Sequence, residues 1–208
     1  MSVSVGIPDR VARSDEAKEG QLAKVLGVIG SPRRGANTET LVRQVLEGAE
    51  AEGAVTEPVQ LAELRIRACD GCHVCWSGRP CCKDDDMIDL YDAIAESDAL
   101  VFGTPVYWYG PTAAMKGFID RFVYFNCPEN RARIRGKRAC ITVPFEEEIL
   151  DAADLVERFF ERSLEYLEVN YVGSVLAPGM GTRGAAAKNA ALLQAAYDLG
   201  RELVRDLT

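Results

Sequence analysis

Cysteine residues crowd one short stretch of this chain. The sequence holds seven cysteines, and five of them fall between positions 69 and 82. The run C-x2-C-x2-C wraps a tight turn, so three thiolates can converge on one cluster, and another cysteine after five or six intervening residues completes a tetrad. The candidate metal-ligating set is Cys69, Cys72, Cys75 and Cys81, with Cys82 as an alternative fourth ligand.

Three kinds of chemistry suit this segment. An iron–sulfur cluster fits the spacing. Zinc can also bind four thiolates, but this spacing is tighter than that of the usual paired zinc knuckles, and His73, the single histidine, lies between the ligands. Free or redox-active thiols are the third interpretation. The two remaining cysteines, Cys127 and Cys140, are most simply buried apolar residues.

A second set of polar residues follows a short apolar run, in the segment SPRRGANT at positions 31–38. Its small residues let the backbone approach a ligand closely, and the helix predicted to follow points its N-terminal amides outward. Ser31, Asn37 and Thr38 add hydrogen-bond donors, and Arg33 adds a forked cation. Together these groups suit a phosphate monoester.

Two better-known phosphate motifs do not match this loop. A Walker loop requires Lys and Ser or Thr after its second glycine, but Ala36 and Asn37 follow Gly35 here. The dinucleotide fingerprint G-x-G-x-x-G is also absent, because Gly27 and Gly30 have the wrong spacing.

A third segment, TPVYWYGP at positions 104–111, places three consecutive aromatic residues between two prolines. A flavin ring needs a flat apolar wall with backbone amides near its polar edge, and this segment can supply both. Three adjacent aromatic residues in a loop cannot all point inward. We therefore expect at least one to be exposed or to face a ligand.

The elements that must position these segments alternate between strand and helix. The predicted strands are Lys24–Ile29, Val55–Leu61, Ala99–Gly103, Ala139–Val143 and Tyr171–Leu176. The predicted helices run from Thr38 to about Gly53, Met87 to Glu96, Thr112 to Phe122, Leu150 to Leu167 and Ala185 to Leu207. In the fourth helix we expect an apolar stripe of Leu155, Phe159, Leu164 and Leu167.

This alternation predicts an α/β fold with a parallel sheet covered by helices on both faces. Five strands fit the flavodoxin-like order 2-1-3-4-5, which places the second strand at an edge, in agreement with Pro58 inside it. Ligands of such sheets bind beyond the carboxyl ends of the strands. We expect one domain over residues 21–208, a flexible tail over 1–20 and a Cys-rich insertion at about 68–86.

Composition restricts the surroundings and partners. A net charge of −8 would repel a nucleic-acid backbone, and no apolar run is long enough to span a membrane. The first twenty residues lack the apolar stretch of a signal peptide, and the clustered cysteines do not resemble a secreted disulfide framework. We therefore expect a cytoplasmic protein that binds neither nucleic acid nor membrane.

The motifs GSPRRGANTETL and FGTPVYWYGPTAAMKGFIDR together resemble the NADPH-dependent FMN reductases of the flavodoxin superfamily, from about Lys24 onward. The resemblance implies that the first loop binds the FMN phosphate and that the aromatic loop holds the ribityl chain and ring. The residues implied for the phosphate are Ser31, Arg33, Asn37 and Thr38, and those for the ribityl chain and ring are Thr104, Pro105, Val106, Tyr107 and Trp108. The family's third loop is glycine-rich, whereas here it is Val143, Pro144 and Phe145 followed by three glutamates.

The cysteine segment resembles the iron–sulfur flavoprotein branch of the same superfamily, which carries a [4Fe-4S] cluster beside FMN. Cluster-free members also resemble this region, with Trp76 directly after Cys75 and the run Asp85-Asp86-Met87. The cluster, zinc and free-thiol interpretations therefore all stay open.

The function implied is an FMN-dependent oxidoreductase that passes electrons from NAD(P)H, or from a ferredoxin-like donor, to a small-molecule or protein acceptor. A [4Fe-4S] cluster would then convert two-electron steps into single-electron steps. No catalytic acid or base is expected, because the cofactor carries the chemistry. The alternative is a flavodoxin-type electron carrier without turnover.

The resemblance also implies a homodimer or homotetramer with the flavin site near the interface. Phe118, Phe122 and Tyr124, near Met115 and Lys116, form the candidate partner face.

Overall fold

The computed structural model describes residues 22–207, in which a five-stranded, fully parallel sheet has the predicted order β2-β1-β3-β4-β5. The proposed tail over residues 1–20 lies outside the described residues. The strands are β1 (Lys24–Ile29), β2 (Val55–Gln60), β3 (Ala99–Gly103), β4 (Arg138–Pro144) and β5 (Asn170–Ala177).

Helices cover both faces of this sheet. In the part of the chain that is described, they are α1 (Asn37–Ala51), α2 (Met87–Glu96), α3 (Ala113–Asp120), α4 (Val123–Asn126), α5 (Pro128–Arg131), α6 (Asp151–Tyr166) and α7 (Ala190–Val204). Short 3₁₀ turns lie at Leu61–Glu63, Val74–Ser77 and Ala186–Lys188. None of the helices in residues 22–207 has the length and apolar character needed to cross a membrane.

Burial explains where each strand lies. Every residue of β3 is buried, and its apolar run ALVFG is typical of a parallel strand covered on both faces. Strand β2 pairs only with β1 and is largely exposed, with Pro58 opposite Gly27. The edge position predicted from Pro58 is confirmed.

Helix α6 corrects one expectation. Leu155 is 58% exposed, so it does not belong to the buried stripe. The buried face is instead Ala152, Ala153, Val156, Phe160 and Leu164. Spacings of three and four residues put this set on one side of the helix, and Leu155 on the other.

The final helix is shorter than predicted. The segment begins with a 3₁₀ turn, and α7 starts only at Ala190, where the Asn189 side chain accepts a hydrogen bond from the Leu192 amide at 3.1 Å. An asparagine at this position competes with the helix ladder and favours a new start.

The candidate partner face is also corrected. Met115, Phe118 and Phe122 are buried in the core between the sheet and α3. Tyr124 stacks on Tyr91 with ring centroids 4.0 Å apart. These aromatic residues fill the interior because α3 packs directly on the sheet, so they do not form the predicted partner face.

Helices α1 and α7 approach each other at backbone distance. A Cβ added to Gly48 would lie 2.0 Å from the Tyr197 carbonyl oxygen, and one added to Gly200 would lie 1.9 Å from the Val45 carbonyl oxygen. Two facing glycines therefore permit this packing, which fixes α1 on the sheet.

The carboxyl ends of the strands meet at one edge. The Gly30 amide donates to the Gly103 carbonyl at 2.7 Å, joining the loops after β1 and β3. The Thr104 amide donates to the Thr142 carbonyl at 3.0 Å, joining β3 to β4. The loops predicted to bind a ligand thus start side by side.

Candidate functional site

An open cleft with a cavity volume of about 150 Å³ lies at this edge of the sheet. Four loops line it, those after β1, β3, β4 and β5. The lining residues are Ser31, Arg33, Ala36, Asn37, Thr38, Pro105, Val106, Tyr107, Pro144, Phe145, Glu146, Met180, Gly181 and Arg183.

The N-terminus of α1 forms one end of the cleft. Ala36 precedes the helix and makes no side-chain cap, so the first amides lack both an intrahelical acceptor and a capping oxygen. Ser31 and Thr38 are buried beside them. Arg33 forms no ion pair within residues 22–207, which leaves its guanidinium for a ligand. This end suits an anion.

The carboxylate of Glu39, in the first turn of α1, does not line the cleft. Glu39 accepts a hydrogen bond from the Gly35 amide at 2.7 Å and from Arg43 at 2.9 Å. The Gly35 bond, aided by Arg43, lowers the pKa of Glu39 against the opposing effect of burial. The charge of Glu39 is therefore held by its own helix and loop.

The Asn37 side chain, which was expected to donate to a phosphate, makes its hydrogen bonds within the protein. Its side-chain amide donates to the carbonyls of Met180 and Thr182, both at 2.9 Å, and its oxygen accepts from the Ala186 amide at 3.1 Å. The side chain therefore ties α1 to the loop after β5. What Asn37 can offer to an anion is its backbone amide.

The loop after β3 forms the apolar wall. Pro105, Val106 and Tyr107 line the cleft. The buried Thr104 does not line it, because its hydroxyl bonds the Pro105 carbonyl at 3.2 Å and accepts from the Thr112 amide at 3.1 Å. Thr104 therefore stabilises the loop from its buried side, through hydrogen bonds at both ends of the loop.

Trp108 lies outside the cleft lining. Tyr107 and Gly110 exchange backbone hydrogen bonds of 2.8 and 3.1 Å, and Trp108 and Tyr109 between them have φ values of 51° and 59°. Positive φ at both central positions defines a type I′ turn, which normally selects Asn and Gly. The turn presents Trp108 to solvent, where it is 98% exposed.

The loop after β4 contributes Pro144, Phe145 and Glu146 to the cleft, whereas Val143 is fully buried inside the strand. The Phe145 carbonyl accepts from the Met180 amide at 2.7 Å, and the Glu147 carbonyl accepts from the Gly179 amide at 3.0 Å. The acidic loop thus lies against the loop after β5.

Three of the five lining residues that sequence reasoning missed belong to that last loop, and the other two are Ala36 and Glu146. Met180, Gly181 and Arg183 line the cleft. A signal was present, because the segment GMGTRG at positions 179–184 is rich in glycine. Because this segment follows the edge strand β5, the sequence did not indicate that it lines the cleft.

The cysteine segment forms a second, small cavity of about 20 Å³. Four of the five clustered cysteines line it: Cys69, Cys72, Cys75 and Cys81. Within residues 22–207, no group of three Cys, His, Asp or Glu side chains is drawn together closely enough for a metal ion. The predicted tetrad therefore shares one cavity without forming a closed coordination shell.

A buried ion pair forms the floor of this cavity. Arg121 and Asp85 are at most 1% exposed and lie 2.6 Å apart. Burial would raise the pKa of Asp85, but the hydrogen bonds from Arg121 and from backbone amides outweigh it and lower the pKa. Arg121 also donates to the Tyr91 hydroxyl at 3.1 Å and to the Cys81 sulfur at 3.3 Å. A fixed cation therefore touches one of the candidate ligands.

Several known proteins resemble this chain in sequence or in fold. The family described as NADPH-dependent FMN reductase matches residues 23–200, which is most of the chain and includes all four cleft loops. The chain belongs to the NADPH-dependent FMN reductase family. The flavodoxin-like architecture predicted from the sequence is that of the family.

Relatives of this FMN reductase family member fall into two groups. An iron–sulfur flavoprotein of Archaeoglobus fulgidus is 35% identical over 114 residues, which is 55% of this chain and 50% of the relative. YwqN of Bacillus subtilis, named as a candidate NAD(P)H-dependent FMN-containing oxidoreductase, is 27% identical over 75% of this chain and 85% of the relative. The chain spans about half the length of the iron–sulfur flavoproteins it matches.

Among solved structures, the NAD(P)H:quinone oxidoreductase from Methanothermobacter marburgensis superimposes with a TM-score of 0.69. The match covers 88% of this chain and 100% of that chain at 20% identity, so it supports the fold alone.

Proposed function

We propose that this protein is an FMN-dependent oxidoreductase that passes electrons from NAD(P)H, or from a ferredoxin-like donor, to a small-molecule or protein acceptor. The observation that carries the proposal is one cleft with two unlike ends. The uncapped start of α1 and the free Arg33 suit a phosphate, and Pro105, Val106 and Phe145 suit a flat apolar ring.

The residues present fit FMN. Ser31, Arg33 and the amides of Asn37 and Thr38 would hold the phosphate, since a helix N-terminus binds such anions. The loops after β3 and β4 would hold the ribityl chain and ring through Pro105, Val106, Tyr107, Pro144 and Phe145, with Thr104, Trp108 and Val143 shaping those loops. FMN, when bound, supplies hydride acceptance and electron transfer, while the protein positions it and limits water.

Stopped-flow mixing of the FMN-loaded protein with NADH and with NADPH tests this function. We expect the flavin absorption to bleach with at least one nucleotide. Absence of bleaching with both would overturn the NAD(P)H oxidoreductase proposal and favour the flavodoxin-type carrier.

We further propose that the cysteine segment holds a [4Fe-4S] cluster through Cys69, Cys72, Cys75 and Cys81. The donor set fits, because four thiols line one cavity and the matching Archaeoglobus relative is named an iron–sulfur flavoprotein. The cluster would supply single-electron transfer next to the flavin chemistry. The Arg121 bond to Cys81 would orient that ligand.

An anaerobic visible spectrum with iron and acid-labile sulfide assays tests the cluster. We expect both iron and sulfide in the wild type, and loss of both in Cys81→Ser. Cys140→Ser is the matched control. Cys140 is buried in β4, within the hydrophobic cluster between the sheet and helices α1 and α7, and it does not line the cysteine cavity. Zinc in place of iron would favour the zinc interpretation over the cluster. Protein without any metal would favour the free-thiol interpretation.

A further inference from the structure

The fifth clustered cysteine, Cys82, has a thiol partner of its own. The sulfur atoms of Cys72 and Cys82 lie 3.6 Å apart, and both side chains are exposed. Cys82 does not line the cavity that the other four cysteines share. The Cys72–Cys82 pair therefore faces solvent, where a small oxidant can reach it.

An ion pair beside the two thiols holds their backbones together. Lys83 follows Cys82 and binds the carboxylate of Asp70 at 2.8 Å. The same Asp70 accepts a hydrogen bond from the Cys72 amide at 3.3 Å. The ion pair between Asp70 and Lys83 thus joins the two ends of the cysteine segment next to the thiols.

The segment between the two cysteines can absorb a small movement. Forming a disulfide requires the sulfur atoms to approach by about 1.5 Å. Residues 76–80 are exposed, and Gly78 among them has a φ value of 72°. Gly71, which directly precedes Cys72, has a φ value of 69°. A side chain added at Gly71 would meet nothing within 4 Å, so no packing opposes a shift there.

We propose that Cys72 and Cys82 form an intramolecular disulfide by exchange with a low-molecular-weight disulfide. One thiol attacks the small disulfide, forms a mixed disulfide and releases one small thiol. The second protein thiol then attacks the mixed disulfide and releases the other small thiol. The protein loses two electrons and two protons, and the small disulfide gains them.

This bond would compete with cluster assembly, a consequence that rests on the proposed function. Cys72 belongs to the candidate ligand set whichever of Cys81 and Cys82 is the fourth ligand. A protein oxidised at this pair therefore lacks at least one thiolate and cannot load the cluster until it is reduced. Conversely, a loaded cluster protects Cys72 from exchange.

The first test uses the full-length chain with bound FMN, stripped of iron by a chelator under anaerobic conditions. After incubation with glutathione disulfide, peptide mapping by mass spectrometry should show one Cys72–Cys82 linkage in most molecules. Cys82→Ser should instead trap a glutathione adduct on Cys72. Adducts on both cysteines in the wild type, pairing with Cys69 or Cys81, or no oxidation would each overturn the proposal.

An Asp70→Asn variant tests the role of the ion pair. Asp70 is 60% exposed, so the change should leave the fold intact. We expect the disulfide to reduced ratio in a glutathione redox buffer to fall by up to about fivefold, the effect of one surface ion pair. Asp154→Asn, which breaks the exposed Asp154–Arg158 pair on α6, is the matched control and should not change the ratio.

Iron loading separates this inference from the cluster proposal. The oxidised wild type should take up no iron until a thiol reductant is added, whereas the reduced protein should load at once. If the reduced protein never loads iron but the linkage forms, the cluster proposal fails and the disulfide stands. If iron loads but no linkage forms in the stripped protein, the disulfide proposal fails and the cluster stands.

Discussion

At the scale of single residues, Arg121 connects the fold to the cysteine chemistry. It is the largest fully buried side chain among the described residues, and its guanidinium also donates to the Arg67 carbonyl at 2.9 Å. Asp85 receives bonds from Arg121 and from the amides of Arg67 and Met87. A buried pair of this kind fixes one geometry, because either charge alone would be costly in the interior.

Replacing Asp85 with asparagine should destabilise the protein by about 3–5 kcal/mol at neutral pH, because Arg121 would remain buried without its counter-charge. Urea unfolding followed by circular dichroism measures the change. Asp154→Asn on α6 is the surface control and should cost at most about 1 kcal/mol. Equal effects of the two variants would contradict the role given to the buried pair.

The same pair sets a pH dependence. The pKa of Asp85 lies below its usual value of 3.8 in the folded protein. Its contribution to stability is therefore complete above about pH 4 and is lost as the pH falls through the lowered folded value. The wild type should lose stability over this acidic range more steeply than Asp85→Asn, as measured by unfolding at a series of pH values.

Arg33 gives a test of the phosphate end. Arg33→Met should raise the Kd for FMN about tenfold, because one charge-assisted hydrogen bond is lost. Riboflavin has no phosphate, so its affinity should not change. Arg34→Met is the control, because Arg34 already pairs with Glu63 at 2.9 Å. Isothermal titration calorimetry measures the Kd values of both ligands for the wild type and the two variants, and a parallel loss for riboflavin would place Arg33 elsewhere in the site.

At the scale of elements, the contact between α1 and α7 supports the cleft. Helix α1 presents its first amides to the cleft, and Gly48 lies in its fourth turn against α7. Asn37 adds a second link, from the start of α1 to the loop that precedes α7. The position of the phosphate end therefore depends on how closely these helices approach.

Gly48→Ala should destabilise the protein by about 1–3 kcal/mol, because the added Cβ must displace the backbone of α7. Gly117→Ala in α3 is the matched control, since nothing lies within 4 Å of its added Cβ. The control should be stabilised by up to about 1 kcal/mol through helix propensity. Thermal unfolding compares the two, and stabilisation of both would mean that the helices can separate freely.

The elements also show what local sequence can predict. Strands β1 and β3 and helix α2 have the predicted bounds, because apolar runs and flanking turn residues mark their ends. The contacts of Arg121 with Asp85 and of Asn37 with Met180 join residues 36 and 143 positions apart. No local pattern encodes such pairs, so the link between Asn37 and the loop after β5 and the ion pair between Arg121 and Asp85 emerged only from the fold.

At the scale of the whole molecule, both candidate sites lie on one chain whose net charge is −8. A homodimer or homotetramer remains our expectation from the family resemblance, although the first candidate face is buried. The large exposed aromatic residues near the cleft are Tyr107, Trp108 and Tyr109.

Light scattering coupled to size-exclusion chromatography measures the assembly. We expect at least twice the 22.7 kDa of a single chain. The same mass with and without FMN would indicate that the cofactor does not control assembly. A mass equal to one chain at micromolar concentration would contradict the oligomer expectation.

The two tryptophans of this chain have an unusual distribution, because neither lies in the core. Trp76 is 43% exposed in the cysteine segment, and Trp108 is 98% exposed beside the cleft. Their emission should resemble that of indole in water even in the native protein, so it will report poorly on global unfolding. Each is instead a local optical probe: Trp76→Phe leaves a fluorophore at the cleft, and Trp108→Phe leaves one at the cysteines. Changes at the two sites can thus be followed separately in one molecule without an added label.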